Sequence, residues 1–336
     1  MVDLYDTQAL CEGVNRFASC RMLVVGDVIV DEFIWGRVER ISPEAPVPVV
    51  DVYKESLMLG GAGNVANNII ALGGQLTLCG VIGNDAMGRE LVHMLRKMNS
   101  PTHGLVVEDH RPTTIKTRVV AHSQQVVRVD REQRRPVNVD SIDKILEVLE
   151  EQLVSTNAIV VADYGKGVVT KSLMDGIRSL TRDREIVVTV DPNKVQNLEV
   201  YRDVTLITPN NYEAQVMSGI SIEDEESLKR AGDQLLQKLG CQMVLITQGD
   251  RGMTLFEGNG RITQIPTLAR KVFDVSGAGD TVTSTFTLAL AAGLTPRQAA
   301  VLANFAAGIV VAEVGTATVS ASRLKEALLD GTPTGM

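Results

Sequence analysis

Short, nearly unbroken apolar runs recur along the chain, separated by stretches of helical length with charge on one side. Residues 21–30, Arg-Met-Leu-Val-Val-Gly-Asp-Val-Ile-Val, form the first run, and such continuity predicts a strand buried on both faces. It carries an acidic pair near its end, Asp27 and Asp31. Further strands are predicted over 76–83, 158–162, 185–190, 205–208 and 243–247. Gly60-Gly-Ala-Gly-Asn64 opens a helix through Leu72 that closes at Gly73-Gly74, and apolar helices are predicted over 281–293 and 297–311. Strands alternating with helices imply an α/β fold with right-handed crossovers and a parallel sheet covered on both sides. Ligands of such sheets sit beyond the carboxyl ends of the strands. Those ends carry Asp27, Asp163, Asp191, Asn210 and Thr247.

Two segments, about 33–58 and 111–131, break the alternation: they are β-rich, poor in helix formers and close to period two in places. They predict a small antiparallel sheet, a lid inserted into a single domain spanning 1–336. An open β surface of this kind invites a second copy, so a homodimer through the lid is expected. Arg131-Glu-Gln-Arg-Arg-Pro136 reads as a solvated loop.

Composition narrows the function classes. A formal charge of -8 over 336 residues argues against a broad basic surface for nucleic acid. No apolar run reaches the length of a membrane span, and the start Met-Val-Asp-Leu-Tyr-Asp lacks the basic flank and apolar core of a leader, so no membrane partner and a cytoplasmic location are expected. The four cysteines (Cys11, Cys20, Cys79, Cys241) and four histidines (His93, His103, His110, His122) are scattered without zinc-ligand spacing, which predicts reduced thiols and structural or surface imidazoles.

The richest chemistry lies in Asp274-Val-Ser-Gly-Ala-Gly-Asp280, which runs directly into the apolar stretch 281–293. Small residues at Gly277, Ala278 and Gly279 let backbone N–H groups approach an anion at a helix N-terminus, where unpaired donors and the helix dipole favour negative charge. A carboxylate beside that hole, Asp280, is placed to serve a hydroxyl nucleophile. The combination points to phosphoryl transfer, in which positioning and charge stabilisation supply most of the catalysis. The plainer alternative is a helix cap beside a tight turn. Thr208-Pro-Asn-Asn-Tyr-Glu-Ala214 sets Asn210 and Glu213 three apart at a helix start, where they can organise Mg²⁺ and phosphate or form an ordinary cap. Thr247-Gln-Gly-Asp-Arg-Gly252 is a strand-ending loop open to a phosphate, or a common turn. No Gly-x-x-x-x-Gly-Lys-[Ser/Thr] occurs, and the glycines at 60–63 lack dinucleotide-binding spacing.

In this order, Gly26-Asp27 with Asp31, Gly60-Gly61-Ala-Gly-Asn64, Asp163-Tyr-Gly-Lys-Gly167, Thr208-Pro-Asn-Asn-Tyr-Glu213, Thr247-x-Gly-x-x-Gly252 and Asp274-Val-Ser-Gly-Ala-Gly-Asp280 resemble the PfkB/ribokinase family of sugar kinases over nearly the whole chain. Within it, Arg40-Ile-Ser-Pro-Glu-Ala-Pro-Val-Pro-Val-Val50 resembles the signature of the D-glycero-β-D-manno-heptose 7-phosphate kinases of lipopolysaccharide inner-core synthesis. Lys116-Thr-Arg118, Gln124-Gln125 with Arg128-Val-Asp130, and Ala312-x-x-Gly315-Thr-x-Thr-Val-Ser320 add to the likeness. Bifunctional relatives carry a nucleotidyltransferase with a His-x-Gly-His motif; this chain has none, so only the kinase half is expected.

The resemblance implies a ribokinase-like three-layer α/β/α sandwich with a mostly parallel central sheet and a β-sheet lid, and an ATP-dependent kinase acting on the anomeric hydroxyl of a heptose 7-phosphate. Asp280 would be the base, with Gly277, Ala278 and Gly279 holding the transferring phosphoryl group. Asn210 and Glu213 would organise Mg²⁺ and the nucleotide phosphates, Glu213 directly or through water. Thr247, Gly249 and Gly252 would line the triphosphate, and Asn304 would lie near adenine or simply be a polar residue on an apolar helix. Asp31, Gly61 and Asn64 would bind sugar hydroxyls, and a carboxylate with an amide suits a polyol. Lys116, Arg118 and Arg128 would hold the distal phosphate, or form a solvated strand face. Asp274, with the region of Ser320, would help hold a monovalent cation such as K⁺. Lys166 and Lys194 lie in loops near the expected phosphates, with Lys194 out of the family's usual register. The alternatives are a family kinase for another phosphosugar, such as fructose 6-phosphate, and a non-catalytic sugar-phosphate sensor.

Overall fold

The computed structural model of the chain describes residues 6–122, 124–193, 197–268, 275–313 and 317–331. Its strands are β1 (Arg21–Gly26), β2 (Val28–Ile41), β3 (Pro48–Gly61), β4 (Gln75–Gly83), β5 (Leu105–Glu108), β6 (Thr114–Ala121) and β7 (Gln124–Arg131). They continue with β8 (Ala158–Ala162), β9 (Val187–Asp191), β10 (Leu206–Ile207), β11 (Met243–Thr247), β12 (Met253–Glu257) and β13 (Ile262–Ile265). The α-helices are α1 (Thr7–Asn15), α2 (Ala62–Ala71), α3 (Ala86–Lys97), α4 (Val139–Gln152) and α5 (Lys171–Thr181). They are followed by α6 (Asn211–Ser218), α7 (Glu225–Leu239), α8 (Ala278–Ala291), α9 (Pro296–Val310) and α10 (Ala321–Asp330).

Nine strands form the main sheet in the order β13-β12-β11-β10-β9-β8-β1-β4-β5, parallel except for the β11-β12-β13 edge, which is antiparallel. The continuous apolar runs are explained by burial on both faces. Met22 and Val24 of β1, Val160 of β8 and Leu245 of β11 enter the core beneath α1, α2, α3, α8, α9 and α10. Their neighbours Leu23, Val25, Ile159, Val161, Val244 and Ile246 enter a second core beneath α4 to α7. Alternate residues thus feed opposite layers, as the pleat requires.

The 21–30 run is two strands in two sheets, not one. Gly26 closes β1 so tightly against β8 that a Cβ there would lie 2.0 Å from the Ala162 carbonyl oxygen. Asp27 then turns away from the sheet, with its N–H on Ala162. Its buried carboxylate accepts from the backbone N–H groups of Tyr164, Lys166 and Val168 at 2.8, 2.9 and 3.1 Å. A carboxylate inside an apolar run thus ends one strand and moulds the loop after another.

From Val28 the chain runs into a separate four-stranded sheet of order β3-β2-β6-β7, which begins five residues before the sequence pattern suggests. Long β2 and β3 pair antiparallel, β6 joins β2 in parallel, and β7 hangs antiparallel on β6. The 131–136 segment that leaves this sheet is more than a solvated loop. Arg111, buried, donates to the Glu108 carboxylate at 3.0 Å and to the carbonyls of Lys166, Arg135 and Pro136 at 3.0, 2.7 and 2.9 Å. One guanidinium therefore ties the chain entering the small sheet, the chain leaving it and the loop after β8.

Candidate active site

The helix α8 is placed by its own hydroxyls. Thr281 donates to Asn68 Oδ1, Thr283 meets the Thr208 hydroxyl and Thr287 donates to the Thr189 hydroxyl, each at 2.9 Å and buried. These bonds set the helix in rotation and height against α2 and the strand ends, which a greasy face alone would leave free to slide. Gly277 precedes the helix at φ 80°, a left-handed conformation that costs a side-chain-bearing residue energy. Asp280, buried, lies in the first turn.

Asp280 faces a polar cavity of about 550 Å³ whose walls include Lys116, Asp163, Tyr164, Lys166, Asp191 and Glu213. Asn64 Nδ2 donates to one carboxylate oxygen at 2.6 Å, and the Tyr164 hydroxyl hydrogen-bonds the other. Burial pushes the Asp280 carboxyl up to about 6, against the pull of those two hydrogen bonds. Burial, then the charges of Asp280 and Glu213, hold Asp191 well above the usual carboxylate range. Burial and the nearby Lys166 ammonium lower the Lys116 amine. Acids that keep their protons and an amine that loses its own more readily are what burial and crowded charge produce.

A second cavity, about 460 Å³ and mostly apolar, adjoins the first. Val275, Ala278, Val282, Ala307 and Val311 supply its greasy walls, and Gly249, Gly252 and Asn304 also line it. Thr247 and Gly279 border both cavities, so the start of α8 stands at their junction. A Cβ on Gly279 would meet nothing within 4 Å, which leaves the helix N-terminus open to an approaching group. The N–H of Ala278 is turned to the Val275 carbonyl at 3.2 Å.

Most residues singled out from sequence gather around these two chambers. Asn210 and Glu213 form a reciprocal capping box at the start of α6, both bonds 2.9 Å, so the capping role is real, and both still line the polar cavity. Thr247 pairs its strand end with Asn210. Asn304 is buried with its amide nitrogen on the Pro266 carbonyl at 2.8 Å. Gly61 precedes α2, whose first N–H, from Ala62, bonds the Asp27 carbonyl. The three cations of the small sheet separate. Lys116 lines the polar cavity, Arg118 pairs with Asp31 over the Phe33 ring, and Arg128 is exposed and forked onto Asp130 at 2.9 and 3.0 Å. Asp274 and Lys194 lie outside the described residues.

From sequence, Asp163 and Asp191 had only a place at strand ends, Lys166 only a place near the expected phosphates, and Tyr164 no site role; all four line the polar cavity. Lys166 is buried and paired with Glu132 at 2.6 Å, which draws the 131–136 loop to the cavity wall. Asp163 accepts from the Tyr201 hydroxyl at 2.6 Å.

The chain that sets this carboxylate at a helix start, facing a polar chamber with an apolar one beside it, has known relatives. The model of the pfkB family carbohydrate kinases matches residues 21–323. The chain belongs to that family. This carbohydrate kinase is 46% identical over 317 residues to the bifunctional protein HldE of Desulfatibacillum aliphaticivorans, covering 94% of this chain and 65% of that one. It is 48% identical over 309 residues to the HldE of Geobacter metallireducens, covering 91% and 63%. The kinase therefore spans less than two thirds of these relatives. Its fold matches Arabidopsis thaliana ribokinase complexed with ribose and ATP, with a TM-score of 0.73 at 18% identity over 93% of this chain and 98% of that one. It also matches Escherichia coli phosphofructokinase-2 in complex with substrates and products, with a TM-score of 0.74 at 19% identity over 93% and 99%. The expected ribokinase-like fold is thereby established.

A carbohydrate kinase of this family implies ATP and typically Mg²⁺. Among the described residues no three His, Cys, Asp or Glu side chains converge tightly enough to hold a metal ion alone. Asp191, Glu213, Asn193 and Asn210 instead spread hard oxygen donors along the polar cavity. That donor set fits an ion that keeps several waters and is held by one or two carboxylates plus substrate phosphates. No helix among the described residues is long and apolar enough to cross a membrane.

Proposed function

We propose that this carbohydrate kinase transfers the γ-phosphoryl group of ATP to the anomeric O1 of D-glycero-β-D-manno-heptose 7-phosphate, giving the 1,7-bisphosphate for ADP-heptose and lipopolysaccharide inner-core synthesis in the cytoplasm. The observation that carries the reading is that Asp280 faces the polar chamber while its neighbour Gly279 borders both that chamber and the apolar one. The apolar chamber suits a nucleobase, with Asn304 among its walls. The triphosphate would then run past Gly249, Gly252 and Thr247 toward Gly277, Ala278 and Gly279, where the α8 dipole favours negative charge. The sugar would occupy the polar chamber, its hydroxyls meeting Asn64, Gly61 and Asp31.

Asp280 would accept the proton of the attacking hydroxyl. Because the transition state is loose, the carboxylate orients the oxygen more than it pulls on the proton. Asp31 would release Arg118 as it turns to the sugar, which leaves that guanidinium, with Lys116 and Arg128, for the distal phosphate. Glu213 and Asn210 would hold Mg²⁺, directly or through water, and bound there it would neutralise charge on the phosphates. Asp274 would contribute to a monovalent-cation site for an ion such as K⁺. The small sheet would act as a lid within a single domain, and its closure would keep water from the phosphoryl group. Its exposed Val126, Val127, Val129 and Tyr53 support a homodimer through this sheet. Sedimentation of the wild type against a variant with charges at Val127 and Val129 tests that assembly, and an unchanged dimer would remove it.

The decisive assay is a panel of phosphosugars with ATP and Mg²⁺, with the product read by phosphorus NMR. The expected result is highest kcat/KM with the heptose 7-phosphate and a new anomeric phosphate. Preference for a hexose phosphate such as fructose 6-phosphate would overturn the heptose assignment while leaving the kinase.

A further inference from the structure

We propose that Tyr164 is a positioning residue for phosphoryl transfer, its hydroxyl donating to one oxygen of Asp280 while the Asn64 amide holds the other, so that the carboxylate is oriented before the sugar arrives. The inference rests on Asp280 as the base. The two donors come from different parts of the fold: Asn64 from the first turn of α2, Tyr164 from the loop between β8 and α5. Each oxygen of a carboxylate accepts more than one hydrogen bond, so the clamp leaves a lone pair for the sugar hydroxyl.

The loop that presents Tyr164 is itself fixed. Its own N–H is anchored on Asp27 Oδ2 at 2.8 Å, and the next N–H, of Gly165, on Asp163 Oδ1 at 2.8 Å. The phenol therefore points at Asp280 because buried carboxylates hold the backbone on either side of it. Tyr164 Oη also lies 3.4 Å from Asp191 Oδ2. One hydroxyl proton cannot serve two carboxylates, and directing it to Asp280 favours the ionised, proton-accepting form of that residue over the other.

The groups facing Asp280 are Asn64 from α2, Tyr164 from the β8–α5 loop, Asp31 and Lys116 from the small sheet, and Asp191 from the end of β9. Lys166 and Glu213 line the same cavity. Without the hydroxyl, Asp280 faces Asp191 and Asp31 with the Asn64 amide and Lys116 in compensation but one donor fewer. Its affinity for a proton must then rise.

The test compares Tyr164→Phe with the wild type on whichever phosphosugar the wild type turns over fastest, with kcat and both KM values followed across pH and folding checked by thermal melting. The expected result is a kcat loss of about tenfold to a hundredfold near neutrality, the worth of a hydrogen bond to a charged group, with KM for ATP held within about twofold. The acid limb of kcat should move to higher pH by about one unit. 3-Fluorotyrosine placed at position 164 keeps the shape and strengthens the donor, so it should move the limb the opposite way. An acid limb that stays at its wild-type position in both variants overturns the proposal, whatever happens to kcat, because a merely structural tyrosine predicts that outcome. Failure of the underlying reading shows separately, as a wild type that phosphorylates no sugar phosphate, and it takes this inference with it.

Discussion

Asp280→Asn should inactivate the enzyme and stabilise it. The wild-type carboxylate is buried, and burial raises it from 3.8 to about 6. A raised carboxyl pKa means that the folded chain binds the proton more tightly than the unfolded chain does. The stability this confers is full below about pH 4 and is lost as pH rises through about 6, beyond which the folded state carries an ionised group it would rather protonate. A rise of about two units corresponds to about 3 kcal/mol at neutral pH, an order-of-magnitude figure for so crowded a site. An amide at this position carries no charge to bury. Its oxygen can still accept from Asn64, and its nitrogen can donate to the Tyr164 oxygen, which is free to turn its proton toward Asp191. The cavity should therefore keep its shape and its ligands, while loss of the base lowers kcat by about a hundredfold to ten-thousandfold. Calorimetric melting from pH 4 to pH 8 in parallel with a coupled ADP assay reads both effects. The two melting curves should nearly coincide at the acid end, and the variant should lead by several degrees at pH 8. A variant that is inactive but melts below the wild type at pH 8 would show that the charge is stabilised in place, and the reasoning about Asp280 would fail. Full activity in the variant would remove Asp280 as the base and leave the kinase with another proton acceptor.

Two further outcomes follow from the same geometry. Arg111→Met should lower stability by about 3–5 kcal/mol, since it leaves buried Glu108 without its cation and four carbonyls without the guanidinium donor, and Arg111→Lys should recover little because a single ammonium cannot span them; denaturant melts of both variants check this, and near-wild-type stability in either refutes it. Lys116→Met should raise KM for the phosphosugar at least tenfold with little change in KM for ATP, since this cation shares the polar cavity with Asp280 and is absent from the apolar one; steady-state kinetics with each substrate varied would show equal effects on both if the cation served the nucleotide instead.

The layers of this fold were legible because burial on two faces leaves a mark that neighbours in sequence carry together. The predicted strands at 158–162 and 243–247 coincide with β8 and β11, and 76–83 differs from β4 by one residue. The antiparallel edge β12-β13 escaped notice, being short and only half buried at β13. The break at Asp27 was hidden for a different reason. An apolar run with one carboxylate reads as a strand with a defect until the backbone donors that receive the carboxylate, more than 130 residues away, are known.

The candidate site divides along the same line. Glycines before a helix, a carboxylate after them and polar residues at strand ends are local arrangements, so sequence alone pointed to Asp280, Asn210, Glu213 and Thr247 and to the chemistry they suit. Which charges face one another depends on separations that no local pattern encodes. Only the folded chain could pair Arg118 with Asp31 and bring Tyr164 and Asn64 to the two oxygens of Asp280. Periodicity follows from how each residue meets its nearest neighbours and the core, whereas hydrogen bonds across 116 and 216 residues of chain exist only once two sheets and the helices between them have closed.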